Sequence, residues 1–358
     1  MLSCAKGRAI MKAICYPLAL IIILLGLNSC YYSSEPYSPP PEPWLCSINA
    51  DGTGFRKIKK VDLNFGTNGF WDIYMTKDNK IIFYGDKLWI SDTDVINPVQ
   101  ITPDNLTLTD LPPRISQTPD GSKLFFAADK NIYQLSYPDY QLTQLTNQTT
   151  RWLRNPIVSD LGNYITYTSN GYGYPAKETE YLYCMDILTG TANILPTQES
   201  IIPNGLYNEA DKFVIYEGDG LKRMKIDGTD VALIEYGGGS GFSNTIFSLS
   251  HDKRFVVRDG AYLSQNNSIN VNDLITGSKQ VIPAANGPGI YALGKLSRTA
   301  NHLFYVKPDN TLCVYNLDTS TNTVLFTSTS SRSIYRFNTV APSWDGSKVY
   351  FDAEICER

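Results

Sequence analysis

Apolar residues in this chain come in short alternating runs, separated by turn formers. Ser116 to Ser136, SQTPDGSKLFFAADKNIYQLS, shows the pattern. Thr118-Pro119-Asp120-Gly121 is a turn: Pro presets φ, Asp bonds to its own backbone, and Gly accepts a positive φ. Leu124 to Ala127 reads as a strand, Asp129-Lys130 as a tight reversal, and Ile132 to Leu135 as a second strand. After residue 30 no long window carries a 3.6-residue apolar period, so the pattern predicts strands and not helices.

The same unit recurs. Its turn appears as Thr76-Lys77-Asp78-Asn79, Ser159-Asp160-Leu161-Gly162, Asn208-Glu209-Ala210-Asp211, Ser250-His251-Asp252-Lys253, Arg298-Thr299-Ala300-Asn301 and Ser343-Trp344-Asp345-Gly346. A run such as Ile81 to Tyr84, Phe213 to Tyr216 or Leu303 to Val306 follows each turn. In six units a third run comes next, and most close on a fourth, as in Leu142 to Thr146. The last unit stops after two runs, at about Asp352. Its missing half matches Trp44 to Thr53, because WLCSINADGT parallels Leu221 to Thr229, LKRMKIDGT. Residues 43–60 are therefore expected to complete the unit begun by residues 337–353.

Repeated four-stranded units of this length are the signature of a β-propeller. Each sheet is apolar on both faces and must stack between two others, and an open array would leave two such faces in water. The expectation is an all-β, seven-bladed β-propeller with a composite N-/C-terminal closing blade, occupying residues 43–358.

The series S-P-D-G-x-x-apolar-apolar-aromatic, followed by apolar-Tyr-apolar-x-D-G-T, resembles the TolB-type, WD40-like (PD40) propeller repeat. Thr118 to Phe126 and Ser343 to Phe351 carry the first half, and Asn49 to Thr53 and Lys225 to Thr229 the second. The resemblance covers roughly residues 43–353. It implies a propeller, and the family holds translocation proteins, propeller gates of peptidases and metal-dependent lyases. Fold alone does not choose among them.

The N-terminus is a targeting segment. Lys6, Arg8 and Lys12 precede an apolar stretch, Ile14 to Leu27, that is short for a membrane span of ~20 residues. Leu27-Asn28-Ser29-Cys30 resembles a bacterial lipobox, which implies cleavage of residues 1–29 and acylation of Cys30. Residues 30–42, rich in Pro and Ser, read as an extended tether. Loss of the leader removes three basic residues and no acid, taking the formal charge from −4 to −7. That charge gives no footprint for nucleic acid and leaves membrane attachment to the acyl chains. An outer-membrane lipoprotein facing the periplasm or the cell surface is expected, as a monomer.

Of seven cysteines, Cys46, Cys184, Cys313 and Cys356 fall in the repeat region. Cys46 and Cys313 hold equivalent third-strand positions in neighbouring units, where stacked sheets lie ~10 Å apart, too far for a bridge with its ~7 Å Cα limit. No structural disulfide is expected.

Catalytic chemistry is sparse. The repeated Asp78, Asp120, Asp252 and Asp345 sit in equivalent turns, where bonding to nearby backbone accounts for them. His251 and His302 alone cannot build a multi-histidine metal site. There is no G-x-S-x-G elbow, and Gly237 to Gly241 lacks the helix and Lys of a phosphate loop. Neither a cofactor nor a metal is expected. The leading reading is a non-enzymatic binding or scaffold module. The alternative is a hydrolase or lyase with carboxylates or tyrosines in the central channel, where the innermost strands offer Asp72, Arg114 and Lys295.

Connections from strand four to the next strand one share a propeller face with the strand-two-to-three loops. Trp152 and Arg154, Tyr172 and Tyr174, and Tyr335 and Arg336 are expected there, in loops. Aromatic and Arg side chains dominate binding hot spots, so this face is the expected partner surface, for an envelope protein or a glycan.

Overall fold

The computed structural model describes residues 41–60, 73–84, 87–109, 114–170, 181–197, 205–217, 220–236, 247–259, 268–284, 294–328 and 332–357. Every regular element among them is a β-strand, and the strands form seven four-stranded antiparallel sheets. Blades one to six occupy residues 73–100, 116–144, 152–194, 205–236, 247–283 and 294–326. Blade seven is composite. Arg332–Pro342 is its first strand and Lys348–Glu357 its second, while Glu42–Asn49 and Arg56–Lys60 supply the third and fourth. The second strand runs past Asp352, where the sequence pattern ends, because Glu42–Asn49 pairs along it from Asn49 opposite Lys348 to Glu42 opposite Ile355.

Strand alternation explains the stacking. Successive side chains point to opposite sheet faces, and here both faces are apolar. Phe125 and Ala127 of blade two pack with Leu153 and Ile165 of blade three. Leu124 and Phe126, one residue out of step, pack with Ile82 and Ile90 of blade one. Blade six repeats this, with Phe304 and Val306 facing Phe337 and Phe351 of blade seven, and Leu303 and Tyr305 facing Val257 and Val271 of blade five. The seven apolar clusters correspond to the seven boundaries between consecutive blades, including seven to one, where Leu45 and Tyr350 meet Ile73 and Phe83. The ring is closed.

Each first strand runs from what we term the loop face to the turn face. The turn face carries the tight turns between strands one and two. Their sequence signature has a bonding reason. In five blades the leading Ser or Thr hydroxyl accepts the N–H that opens strand two, as Thr76 does from Lys80 at 2.8 Å and Ser343 from Lys348 at 3.0 Å. The fourth residue takes a positive φ: Asn79 at 62°, Gly121 at 77°, Gly162 at 86°, Lys253 at 63° and Gly346 at 70°.

The turns also touch one another around the ring. A Cβ on Gly162 would lie 2.9 Å from Pro119 Cδ in the preceding blade, so the close approach as well as the φ requires glycine there. Glu42 pairs at the far end of the blade-seven sheet from the Ser343 turn, so the chain enters the ring on the loop face.

Candidate functional site

Trp152 and Arg154 lie in a strand, not in a loop as the sequence suggested. Trp152–Val158 is the first strand of blade three, pairing Trp152 with Asn170 and Arg154 with Thr168. The segment Asn155-Pro156 reads as loop in sequence, and structurally it is a break in register between Arg154 and Ile157, with Asn155 at φ 52°. Such a bulge bends a strand without ending it, and Pro is tolerated on an edge strand because no neighbour needs its N–H. Tyr335 and Arg336 likewise belong to the long strand Arg332–Pro342, with a register break between Ile334 and Arg336. Extended pairing against Lys348–Glu357 absorbs residues that looked like a connection.

All four positions stand at the loop-face end of innermost strands, on blades three and seven. Trp152 is half-buried, with the Lys130 ammonium 5.7 Å from its ring centroid. The neighbouring Arg151 guanidinium lies 5.1 Å from the ring of Tyr181. Arg336 is exposed and opposite Glu354. Cys30, Tyr172, Tyr174 and the side chain of Tyr335 lie outside the described residues.

Bonds between blades line the central channel. Tyr74 Oη of blade one accepts Ile115 N–H at 3.2 Å, and Ser116 Oγ of blade two accepts Val158 N–H at 2.9 Å. Lys295 of blade six reaches past blade seven. Its Nζ donates to Ile73 O at 3.2 Å and lies 4.4 Å from the Tyr74 ring centroid. Of the channel set named from sequence, Lys295 and Arg114 are described, and Asp72 lies outside the described residues.

The blade-six turn begins at Ser297, one residue before the sequence pattern placed it, with Ser297 N–H donating to His302 O. The second residues of the seven turns, at the turn-face ends of the innermost strands, are therefore Lys77, Pro119, Asp160, Glu209, His251, Arg298 and Trp344. On one side the charges are internally matched. Asp160, 5% exposed, ion-pairs with Lys253 two blades away and accepts Glu209 N–H at 2.6 Å. Glu209 in turn accepts from Ser159 Oγ, and from Asn163 N–H and Nδ2 at 3.0 and 2.9 Å. On the other side the Arg298 guanidinium sits 5.7 Å from the ring of buried Trp344. Sequence reasoning gave Arg298 and Trp344 no role beyond the turns, and the second position they share emerges only with Ser297 as the leading residue.

A buried ionic group joins blades four and five. Arg258 pairs with Glu217 at 2.6 Å and approaches Glu235 to 3.7 Å. Glu235 also accepts from Asn270, Asn272 and Lys279 at 2.7, 2.9 and 2.6 Å. Among the described residues, no three His, Cys, Asp or Glu side chains are grouped as a metal ion would require. The turn aspartates are structural: Asp78, Asp252 and Asp345 each accept a hydroxyl bond from the leading residue of their own turn at 2.6 Å. None of the four cysteines in the propeller forms a disulfide.

These features define a seven-bladed β-propeller with polar groups gathered at its axis. No protein-family model matches the chain, and no curated protein matches it. Solved structures with the same fold include a manganese complex of oligogalacturonate lyase, at 14% identity over 80% of this chain and 88% of that one, with a TM-score of 0.54. The oligogalacturonate lyase of Vibrio parahaemolyticus is 13% identical over 87% and 91%, with a TM-score of 0.55. TolB from Acinetobacter baumannii is 14% identical over 88% and 65%, with a TM-score of 0.49. At these identities the likeness is one of fold.

Proposed function

We propose that this propeller is a non-enzymatic binding or scaffold module of the cell envelope, anchored through an acyl-modified Cys30. Its partner surface is the loop-face rim that carries Trp152, Arg154 and Arg336, to which the sequence pattern adds Tyr172, Tyr174 and Tyr335. The observation that carries the reading is the lengthening of two innermost strands, Trp152–Val158 and Arg332–Pro342, which brings an aromatic and an exposed Arg to that rim on rigid backbone. Residues held on paired strands lose little entropy on binding. Arg154 and Arg336, on blades three and seven, are cations at the rim of a chain whose formal charge is acidic.

The test is recovery of partners from envelope extracts with wild type and with a Trp152→Ala/Arg154→Ala/Tyr174→Ala variant that still melts cooperatively. The variant is expected to lose at least one wild-type partner. Retention of every partner removes this rim as the binding surface. Metabolic labelling with palmitate tests the anchor, and label that persists in Cys30→Ala overturns it.

A further inference from the structure

We propose that the turn-face mouth of the central channel is a binding site for a small ligand that presents a carboxylate or phosphate group, with Arg298 as its anchor and Trp344 as its apolar wall. The site is separate from the loop-face rim and stands or falls independently of it. Three observations converge on it.

The first is the state of Arg298. Its side chain is open to solvent, yet among the described residues no carboxylate pairs with it. Surrounding protein draws its pKa below the usual arginine value, an effect that nearby Tyr74 partly offsets. A cation that water reaches but protein encloses is the arrangement of a channel mouth. An enclosed guanidinium gains from an oxyanion, because its planar fork can donate two parallel charge-assisted bonds.

The second is charge balance around the mouth. At the second position of the turns the acids are Asp160 and Glu209, and they are satisfied by Lys253, Ser159, Asn163 and backbone N–H groups. They stand on blades three and four, whereas Arg298 stands on blade six. The opposite arc, blades six, seven and one, presents Arg298, Trp344 and Lys77, with Lys295 inside it at the inner edge of blade six. The acids of that arc, Asp345 and Asp78, already accept from Ser343 and Ser347 and from Thr76 and Tyr137, so Arg298 stands beside acids that are engaged elsewhere.

The third is rigidity. Thr299 Oγ1 donates to Trp344 O at 3.1 Å, and a Cβ on Gly346 would lie 3.0 Å from Ser297 Cβ. The turns of blades six and seven are locked together, so Arg298 and Trp344 are held in register before a ligand arrives. Preorganisation of this kind reduces the entropic cost of binding.

The experiment is calorimetric titration of the protein with inorganic phosphate and, separately, with citrate, at fixed ionic strength and with chloride as the background anion. Saturable binding of one or both is expected, and the arm that saturates identifies the oxyanion. Arg298→Ala is expected to weaken that binding by about tenfold or more, and Arg298→Lys by less. Arginine-specific modification with phenylglyoxal, read by mass spectrometry, gives a measure on unaltered protein: the ligand is expected to slow modification of Arg298. Absence of saturable binding in both arms overturns the proposal. So does wild-type affinity in Arg298→Ala, or modification of Arg298 at the same rate with and without ligand.

Discussion

Arg258 of blade five and Glu217 of blade four form an ion pair of 2.6 Å with both side chains only 3% exposed. They meet where, among the described residues, the apolar cluster between blades is smallest, with four buried residues: Leu206, Ile215, Leu221 and Val256. Polar matching takes over there from hydrophobic burial. Removing Glu217 leaves the buried Arg258 only the more distant Glu235 at 3.7 Å, which Lys279 already engages. Glu217→Ala is therefore expected to cost ~3–5 kcal/mol in urea denaturation, while a Glu217→Leu/Arg258→Met pair recovers most of that loss. A Glu217→Ala variant as stable as wild type would show that the pair does not hold these blades together.

The turn aspartates give stability a defined pH dependence. Bonds from Thr118 and Ser122 hold the Asp120 carboxyl down at about 2, against ~3.9 for an unperturbed Asp. The Ser343 hydroxyl draws Asp345 down in the same way. A carboxyl depressed in the folded state contributes stability above its unfolded pKa and loses it as pH falls through the folded one. The melting temperature is thus expected to fall between pH ~4 and ~2. Asp120→Asn should flatten that fall, as measured by thermal melts across the range.

Gly162 combines φ 86° with Pro119 Cδ 2.9 Å from where a Cβ would sit. Proline cannot swing aside as a long side chain would. Gly162→Ala is expected to destabilise the fold by ~1–3 kcal/mol, whereas Gly190→Ala, at φ 71° with nothing within 4 Å, isolates the cost of φ alone. Equal losses in the two variants would mean that the contact between turns carries no strain.

Cysteine labelling reads the fold directly. Cys46, Cys184 and Cys313 are buried and Cys356 is partly exposed. Burial also pushes the Cys184 thiol up to about 12, so it is not a thiolate at neutral pH. One thiol among these four is expected to react quickly in the native protein and all four after denaturation, counted with a chromogenic disulfide reagent.

The repeat was legible in sequence because each blade states its own chemistry. A hydroxyl residue caps strand two, an Asp or Gly shapes the turn, and alternation makes both sheet faces apolar. Even the composite closure showed, since WLCSINADGT carries a third-strand pattern at the wrong end of the chain. The extent of the first strands was not legible. Asn155-Pro156 has loop chemistry, and only tertiary pairing makes it a bulge inside a strand.

The ionic seam between blades four and five was missed for a related reason. Glu217 and Arg258 follow Phe213 to Tyr216 and Phe255 to Val257, and each looks like the polar end of an apolar run. Their signal was that a charge continued the strand where a turn residue was due. Arg298 was hidden because its turn begins one residue earlier than the repeat pattern suggested, at Ser297, whose N–H donates to His302 O, and because that turn lacks the Asp that marks most of the others.

The direction in which the chain enters the ring gives the two proposed surfaces different audiences. Glu42 begins its strand on the loop face, in the same blade as Arg336. Under the proposed anchor at Cys30, a disc leashed from that side would turn its loop face toward the membrane, so molecules seated in or just above the same membrane would meet Arg336 in a shallow gap. The proposed Arg298 site would then open outward, toward solutes that arrive by free diffusion. One leash point would thus sort neighbours that travel in two dimensions from ligands that travel in three.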